Sequence, residues 1–277
     1  MKKSLTFNKI IMYVILIFLS GLFLLPLVWM VSTSLKYPPQ IHTYPPTWIP
    51  NPIAWSNYPN AVKYMPFLRY IRNTLYYCVF TVIGVTLSST LVAYSLSRLN
   101  WPGKNILFII TLAVMMLPGQ VTVIPIYIFF HRLGWINTYK PLIIPTFFGN
   151  AFYIFLLRQF LMTIPKELSD AAYVDGASEI QILIHIISPL VKPAILVVIL
   201  FQFLGAWKDF FGPLIYLSTE ELYPISLGLQ NYLSAHGHPE WGFMMAAAVL
   251  TTLPIIVLFF FTQRQFIEGI TLTGLKM

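Results

Sequence analysis

The chain has 277 residues, 57% of them hydrophobic and 9% charged, with a formal net charge of +8 from 17 Lys and Arg against 9 Asp and Glu. A soluble domain carries about 25% charged residues, so this composition argues against a soluble enzyme, a nucleic-acid-binding domain and a disordered chain. It is the composition of a polytopic, all-α membrane protein.

Six uncharged runs follow one another. They are Ile10–Val31, the stretch between Arg72 and Arg98, the stretch between Lys104 and His131, Pro141–Leu157, Pro193 to about Leu217, and the stretch between Glu240 and Arg264. A helix that crosses a bilayer needs about 17–25 apolar residues. Five runs qualify directly, and the fifth in chain order qualifies if the pair Lys208-Asp209 is tolerated within it. The first run follows Met1-Lys2-Lys3 and has 22 uncharged residues. That exceeds the roughly 7–15 apolar residues of a signal peptide, and no small-x-small site follows, so a retained helix is expected. The runs are continuous, and each exceeds the roughly 9–11 residues of a barrel strand.

The basic residues stand singly between these runs, as headgroup anchors do. Six crossings place both termini on one side. A cytoplasmic N-terminus puts 10 Lys and Arg inside and 7 outside, a bias too small to fix the orientation. Residues 1–70 read as a first helix plus an outer loop holding eight of the 21 prolines. Trp48, Trp55 and Tyr58 suggest that this loop lies along the interface. Residues 71–265 read as a five-helix transmembrane domain and 266–277 as a cytoplasmic tail. The single cysteine, Cys78, excludes an internal disulfide or a cysteine metal cluster. His236-Gly237-His238 reads as a polar turn rather than a metal site. In the second run, Gly84 with Ser88 and Ser89 with Ala93 and Ser97 are four apart, which permits close helix packing.

The informative segment lies within 162–190. Pro165 suits a helix's first turn, Lys166–Val174 reads as a short helix, and Gly176 falls where a left-handed cap ends it. Ser178 with Gln181 makes a capping box for the next helix. The segment resembles the EAA loop of ABC-importer permeases. The match runs from Asp170-Ala171-Ala172 through Gly176 to Ile186-Ile187-Ser188-Pro189 with all spacings kept; Asp stands for the family's Glu at 170 and Ser188 for its Leu. The likeness extends to Ser34-Leu35-Lys36, Asn73-Thr74-Leu75, Ala93-Tyr94-Ser95-Leu96-Ser97-Arg98, Leu117-Pro118 to Pro125, Leu133-Gly134, and Gln263-Arg264-Gln265-Phe266 with Gly269 and Gly274. Together these stretches resemble the smaller, six-helix carbohydrate permease of the maltose-transporter type.

The resemblance implies a type I ABC importer permease fold in a bacterial or archaeal cytoplasmic membrane. Its loop would be cytoplasmic, with Glu167, Asp170, Ala171, Ala172, Asp175, Gly176, Ala177, Ile186 and Pro189 forming the docking element for a separate ATPase. The implied partners are an ATPase dimer that binds ATP and magnesium, a homologous second permease, an external sugar-binding protein and the surrounding lipid; nucleic acid is not among them. The plainer reading of the loop is an ordinary amphipathic connection. The chain has no Gly-x4-Gly-Lys-Ser/Thr phosphate cradle, no His-Glu-x-x-His, and no catalytic, cofactor or metal site of its own. The loop Gly228–Trp241 takes the place of the family's outer loop that reaches the binding protein.

Charged groups inside spans mark pathways by default. Lys208 and Asp209, with Trp207, Phe210, Phe211 and Tyr216, are the candidate pathway-lining residues. The competing reading is an aromatic belt with an interfacial charge pair. The function expected is half of a sugar pathway working by alternating access. An importer of another solute, an ion-coupled secondary transporter and a non-transporting scaffold are the alternatives. An ion-coupled carrier would favour buried carboxylates or internal repeats, and Asp209 is the one acid within a run.

Overall fold

The computed structural model describes residues 2–234 and 240–274, and its regular elements are all helices, with no strand among the described residues. Among the described residues four helices are long and apolar enough to cross a membrane: Lys9–Ser34, Phe67–Arg98, Lys140–Leu161 and Trp241–Gln263. Two bent pairs complete a set of up to six, Lys104–Met115 with Gly119–Arg132 and Glu179–Leu190 with Lys192–Trp207. His236, Gly237 and His238 lie outside the described residues.

The bends correct the picture of unbroken spans. The third run turns by 99° between its two helices. Pro118 caps the second of them with extended backbone, and a proline there has no N–H to continue the first. Pro125 lies inside that second helix without ending it. The fourth run is a turn of helix at Lys140–Ile143, a tight 3-10 stretch at Ile144–Phe148, then helix Ala151–Leu161. Gly149 makes the junction with φ of +89°, a conformation glycine adopts without a Cβ clash. Asn150 then caps the helix by accepting from the N–H groups of Phe152 (3.0 Å) and Tyr153 (3.4 Å). The fifth run is helix only to Trp207, stops through Phe210, and resumes as Phe211–Tyr216. The last helix runs on to Gly274, so residues 266–274 of the expected tail are helical.

The chain divides into two compact units, which do not follow the sequence division at residue 70. One unit holds Met1–Leu68 with Gly228–Pro254. Its long first helix is apolar and buries none of its span window within the chain. At the end of that helix sits a buried polar knot. The amide of Asn57 donates to the carbonyls of Ser34 (2.9 Å) and Lys36 (2.8 Å), and the Lys36 ammonium lies 3.9 Å from the Trp29 ring centre. Trp48 meets Trp29 edge-on at 5.1 Å, so the proline-rich loop folds back on the helix end.

The other unit holds Arg69–Leu227 with Ile255–Met277. Its core joins the second span to the loop and the fifth span through Val85, Tyr94, Leu157, Leu161, Ile182 and Ile187, among others. The small residues of the second span do pack inside the chain. A Cβ on Gly84 would lie 2.5 Å from Thr146 Oγ1 and 2.7 Å from Phe147 Cδ2. Ser88 donates to the Thr146 carbonyl (3.0 Å), and Ser89 Oγ accepts the Asn150 N–H (3.2 Å).

This contact is testable. Gly84→Val should cost about 1–3 kcal/mol by overpacking, read as a lower melting temperature in detergent, with Gly84→Ala intermediate. A Gly84→Val protein that melts with the parent would show that the approach of the two segments is not tight.

Candidate functional site: the loop between the fourth and fifth spans

The helix in this loop is Glu167–Val174, one residue shorter than expected. Its end is a complete Schellman motif. Gly176 has φ of +78°, its N–H reaches the Tyr173 carbonyl (3.0 Å), and the Ala177 N–H reaches the Ala172 carbonyl (2.9 Å). Nothing lies within 4 Å of where a Gly176 Cβ would stand, so the demand for glycine is conformational and not one of space. Gln181 returns its side-chain oxygen to the Ser178 N–H (2.8 Å), which starts the second helix.

That second helix widens to a π-helix over Ile182–Ile187, and the Ser188 N–H bonds the Leu183 carbonyl five residues back. Pro189 is the physical reason. It cannot donate to the His185 carbonyl, and its ring would strike it; the wide turn makes room. The chain then bends by 81° into Lys192–Trp207.

The coupling candidates divide by face. Ala172 is buried in the core, and Ser169 beside it is buried too. Glu167, Asp170, Ala171, Asp175 and Gly176 are exposed, Ala177 and Ile186 are half-buried, and Pro189 is exposed. Val174 is 88% exposed, Ile180 68% and Ile184 55%. The free surface is therefore an acidic helix flanked by bare aliphatic side chains.

Its bedding comes from residues that motif spacing did not single out for a role. Arg98, the last residue of the second span, donates Nη1 to the Ile164 carbonyl (2.7 Å), and Nη2 to the Pro165 carbonyl (3.0 Å) and Ser169 Oγ (2.8 Å). Tyr94, one turn earlier, donates to Glu179 Oε2 at 2.7 Å. Tyr173 donates to the other oxygen of Glu179. That bond to the carboxylate pushes the Tyr173 phenol up to about 12, so the phenol stays a neutral donor at physiological pH. Tyr94, Arg98, Lys166, Asp170, Tyr173 and Glu179 share one cleft of about 380 Å³. The visible hint in the sequence was a Tyr and an Arg four apart at a span end. Nothing local tells which carbonyls they reach.

The aromatic stretch near Lys208 is split. Trp207 is 4% exposed and stacks on Phe203 at 5.3 Å. Tyr216 stacks on Tyr127 at 6.2 Å. Asp209 is half-buried and bonded inward to Tyr77 at 2.8 Å. Lys208, Phe210 and Phe211 are exposed. The six do not form one shared lining. Among the described residues no group of three or more His, Cys, Asp or Glu is placed to hold a metal.

Arg98→Ala should release the start of the loop helix. A hydrogen bond to a charged group contributes about 1.5–3 kcal/mol, so hydrogen–deuterium exchange across Ile164–Val174 should quicken at least about tenfold, because 1.4 kcal/mol corresponds to a factor of about ten. Unchanged exchange would show that the guanidinium does not hold the loop.

Comparison with known proteins places the chain. Residues 81–271 match the family described as binding-protein-dependent transport system inner membrane component. Over 210 residues the chain is 32% identical to the arabinooligosaccharides transport system permease protein AraQ of Bacillus subtilis, covering 76% of this chain and 74% of that one. It is 28% identical to the trehalose/maltose transport system permease protein MalG of Thermococcus litoralis, covering 97% of each. The fold superposes with a TM-score of 0.84, at 24% identity and over 94% of this chain and 97% of the other, on a bacterial ABC transporter structure involved in import of the acidic polysaccharide alginate. The chain belongs to the family of inner membrane components of binding-protein-dependent transport systems.

Proposed function

We propose that this chain forms half of the transmembrane pathway of an ATP-driven importer of sugars or oligosaccharides. A second permease supplies the other half, and an external binding protein delivers the sugar. The named relatives act on arabinooligosaccharides and on trehalose or maltose, which supports the sugar class. ATP and magnesium are bound by a separate ATPase. Both termini and the loop 162–190 face the cytoplasm, since four crossings from a cytoplasmic N-terminus return the chain to that side.

One observation carries the reading. The loop helix exposes Glu167, Asp170 and Val174 while Arg98, Tyr94 and Glu179 fasten its other side to the second span. A helix free on one face and rigid on the other transmits displacement; a loosely tethered connection absorbs it. ATPase closure moves this helix, and the permease passes between inward- and outward-facing states. Glu167, Asp170, Ala171, Asp175 and Gly176 meet the ATPase. Ala172 and Ala177 act from beneath by seating the helix, and Ile186 and Pro189 by shaping its continuation.

Two substitutions separate shape from charge. Gly176→Val forces a β-branched residue to positive φ, at a cost of about 1–3 kcal/mol, and should weaken recovery of the ATPase by misdirecting the helix. Asp170→Ala should lower ATPase affinity about tenfold or more if its carboxylate accepts a charge-assisted bond, whereas Asp170→Glu should retain function. Pull-down of the ATPase and binding-protein-stimulated hydrolysis in proteoliposomes are the measurements. Normal recovery and coupling in both Gly176→Val and Asp170→Ala would remove the loop from the mechanism.

Orientation has its own test, in a Cys78→Ser background. A cysteine at Ser56 should react with an impermeant thiol reagent applied outside, and one at Ser178 only after permeabilisation. Outside labelling at Ser178 would reverse the topology.

A further inference from the structure

The stop in the fifth span is a built joint. Helix Lys192–Trp207 ends, and three residues later helix Phe211–Tyr216 begins. The first N–H groups of a restarted helix need acceptors. Asp209 meets that need. Its Oδ1 accepts the Gly212 N–H at 3.0 Å, while Oδ2 accepts the Tyr77 hydroxyl at 2.8 Å from the second span. The Asp209 carbonyl accepts the Ser226 hydroxyl at 2.6 Å, from the helix Ile225–Ser234. The carboxylate is thus bonded at once to the restarted helix and to a neighbouring span.

Gly212 is the counterpart. A Cβ there would lie 2.6 Å from Asp209 Oδ2 and 2.9 Å from Leu142 Cδ2. Only glycine leaves room for the carboxylate in this pose. Beneath the joint, Tyr77 and Trp207 belong to a common buried cluster with Cys78, Leu142, Ile143, Ala206 and Leu217. On its open side stand Lys208, Phe210 and Phe211, the exposed members of the candidate pathway group.

We infer that Asp209 is a positioning residue for transport. It takes no part as a sugar ligand; it locks the break in the fifth span to Tyr77 of the second span, and so sets the direction in which Lys208, Phe210 and Phe211 are presented. This deepens the importer reading and rests on it. Two features distinguish the lock from general packing. The carboxylate is held by two donors on two different segments, and the glycine beside it is needed by the carboxylate itself.

The test uses the complete importer in proteoliposomes, with a mixed pool of arabino- and malto-oligosaccharides as the sugar probe. Tyr77→Phe removes only the tether between spans. Asp209→Asn keeps one acceptor oxygen and loses the other. Both variants should assemble with the ATPase. Both should speed hydrogen–deuterium exchange over Asp209–Tyr216 by about tenfold, the effect of one lost charge-assisted bond. Both should lower sugar uptake per ATP hydrolysed several-fold, and the double variant should match Asp209→Asn, because the two residues act through one bond. Parental exchange and parental coupling in Tyr77→Phe would overturn the inference, also where Asp209→Asn fails to assemble. So would an additive double variant, or a change in preference between the two sugar classes with coupling intact, which would make Asp209 a sugar contact. If the parent complex takes up neither pool, the sugar reading fails, and the exchange measurement still decides the lock.

Discussion

A peptide group within lipid has no water to bond, so every interruption of a spanning helix must be satisfied by the protein itself. This chain interrupts its spans repeatedly and meets the constraint with single polar side chains. Asn150 caps the helix that follows Gly149. Asp209 bonds the N–H of Gly212 where the fifth span restarts. At Pro189, in the loop ahead of the fifth span, the missing N–H is absorbed by a π-turn rather than a side chain. Asn150 and Asp209 are thus polar residues placed where a helix stops.

The second span is the common anchor for these interruptions. Near its start, Tyr70 donates to Glu220 Oε1 at 2.6 Å, and Asn73 donates to the carbonyls of Glu221 (2.8 Å) and Tyr223 (3.1 Å). Thr74 Oγ1 accepts the Ile225 N–H at 2.8 Å. Tyr77 holds Asp209, Ser88 and Ser89 hold the fourth segment, and Tyr94 with Arg98 hold the loop 162–190. These partners fall in two groups along the helix, Tyr70 to Tyr77 and Ser88 to Arg98. Asn73, Thr74 and Arg98 serve as hydrogen-bond partners for other segments' backbone, and Tyr94 for the Glu179 side chain.

Local signals in the sequence were sufficient for the loop. Gly176, Ser178 and Gln181 act within a few residues of themselves, so spacing alone led to the Schellman turn and the second helix's start. Helix breaks inside apolar runs were harder. Pro118 stops a helix and Pro125 does not, because the outcome depends on what surrounds each proline in three dimensions. Asp209 is the clearest case. Its sequence context, one charge among aromatics, reads equally as a pathway group or an interfacial anchor. Its partners Tyr77 and Ser226 lie 132 and 17 residues away, and no periodicity encodes those distances. Lys208, adjacent in sequence, is exposed where Asp209 is half-buried, because the helix has already ended at Trp207 and the two residues lie in the break.

A 32-residue helix rising 1.5 Å per residue is about 48 Å long, enough to cross the bilayer with polar groups clear of it at both ends. Because the loop 162–190 is hydrogen-bonded to one end and the joint at Asp209 to the other half, a single continuous rod joins the two. An interior proline or a π-turn would make such a rod yield, and the second span contains neither, whereas the third, fifth and sixth spans carry one or the other. The second span is thus the stiff member, joining the loop 162–190 to the joint at Asp209 through one helix, while a proline or a π-turn lets the third, fifth and sixth spans bend.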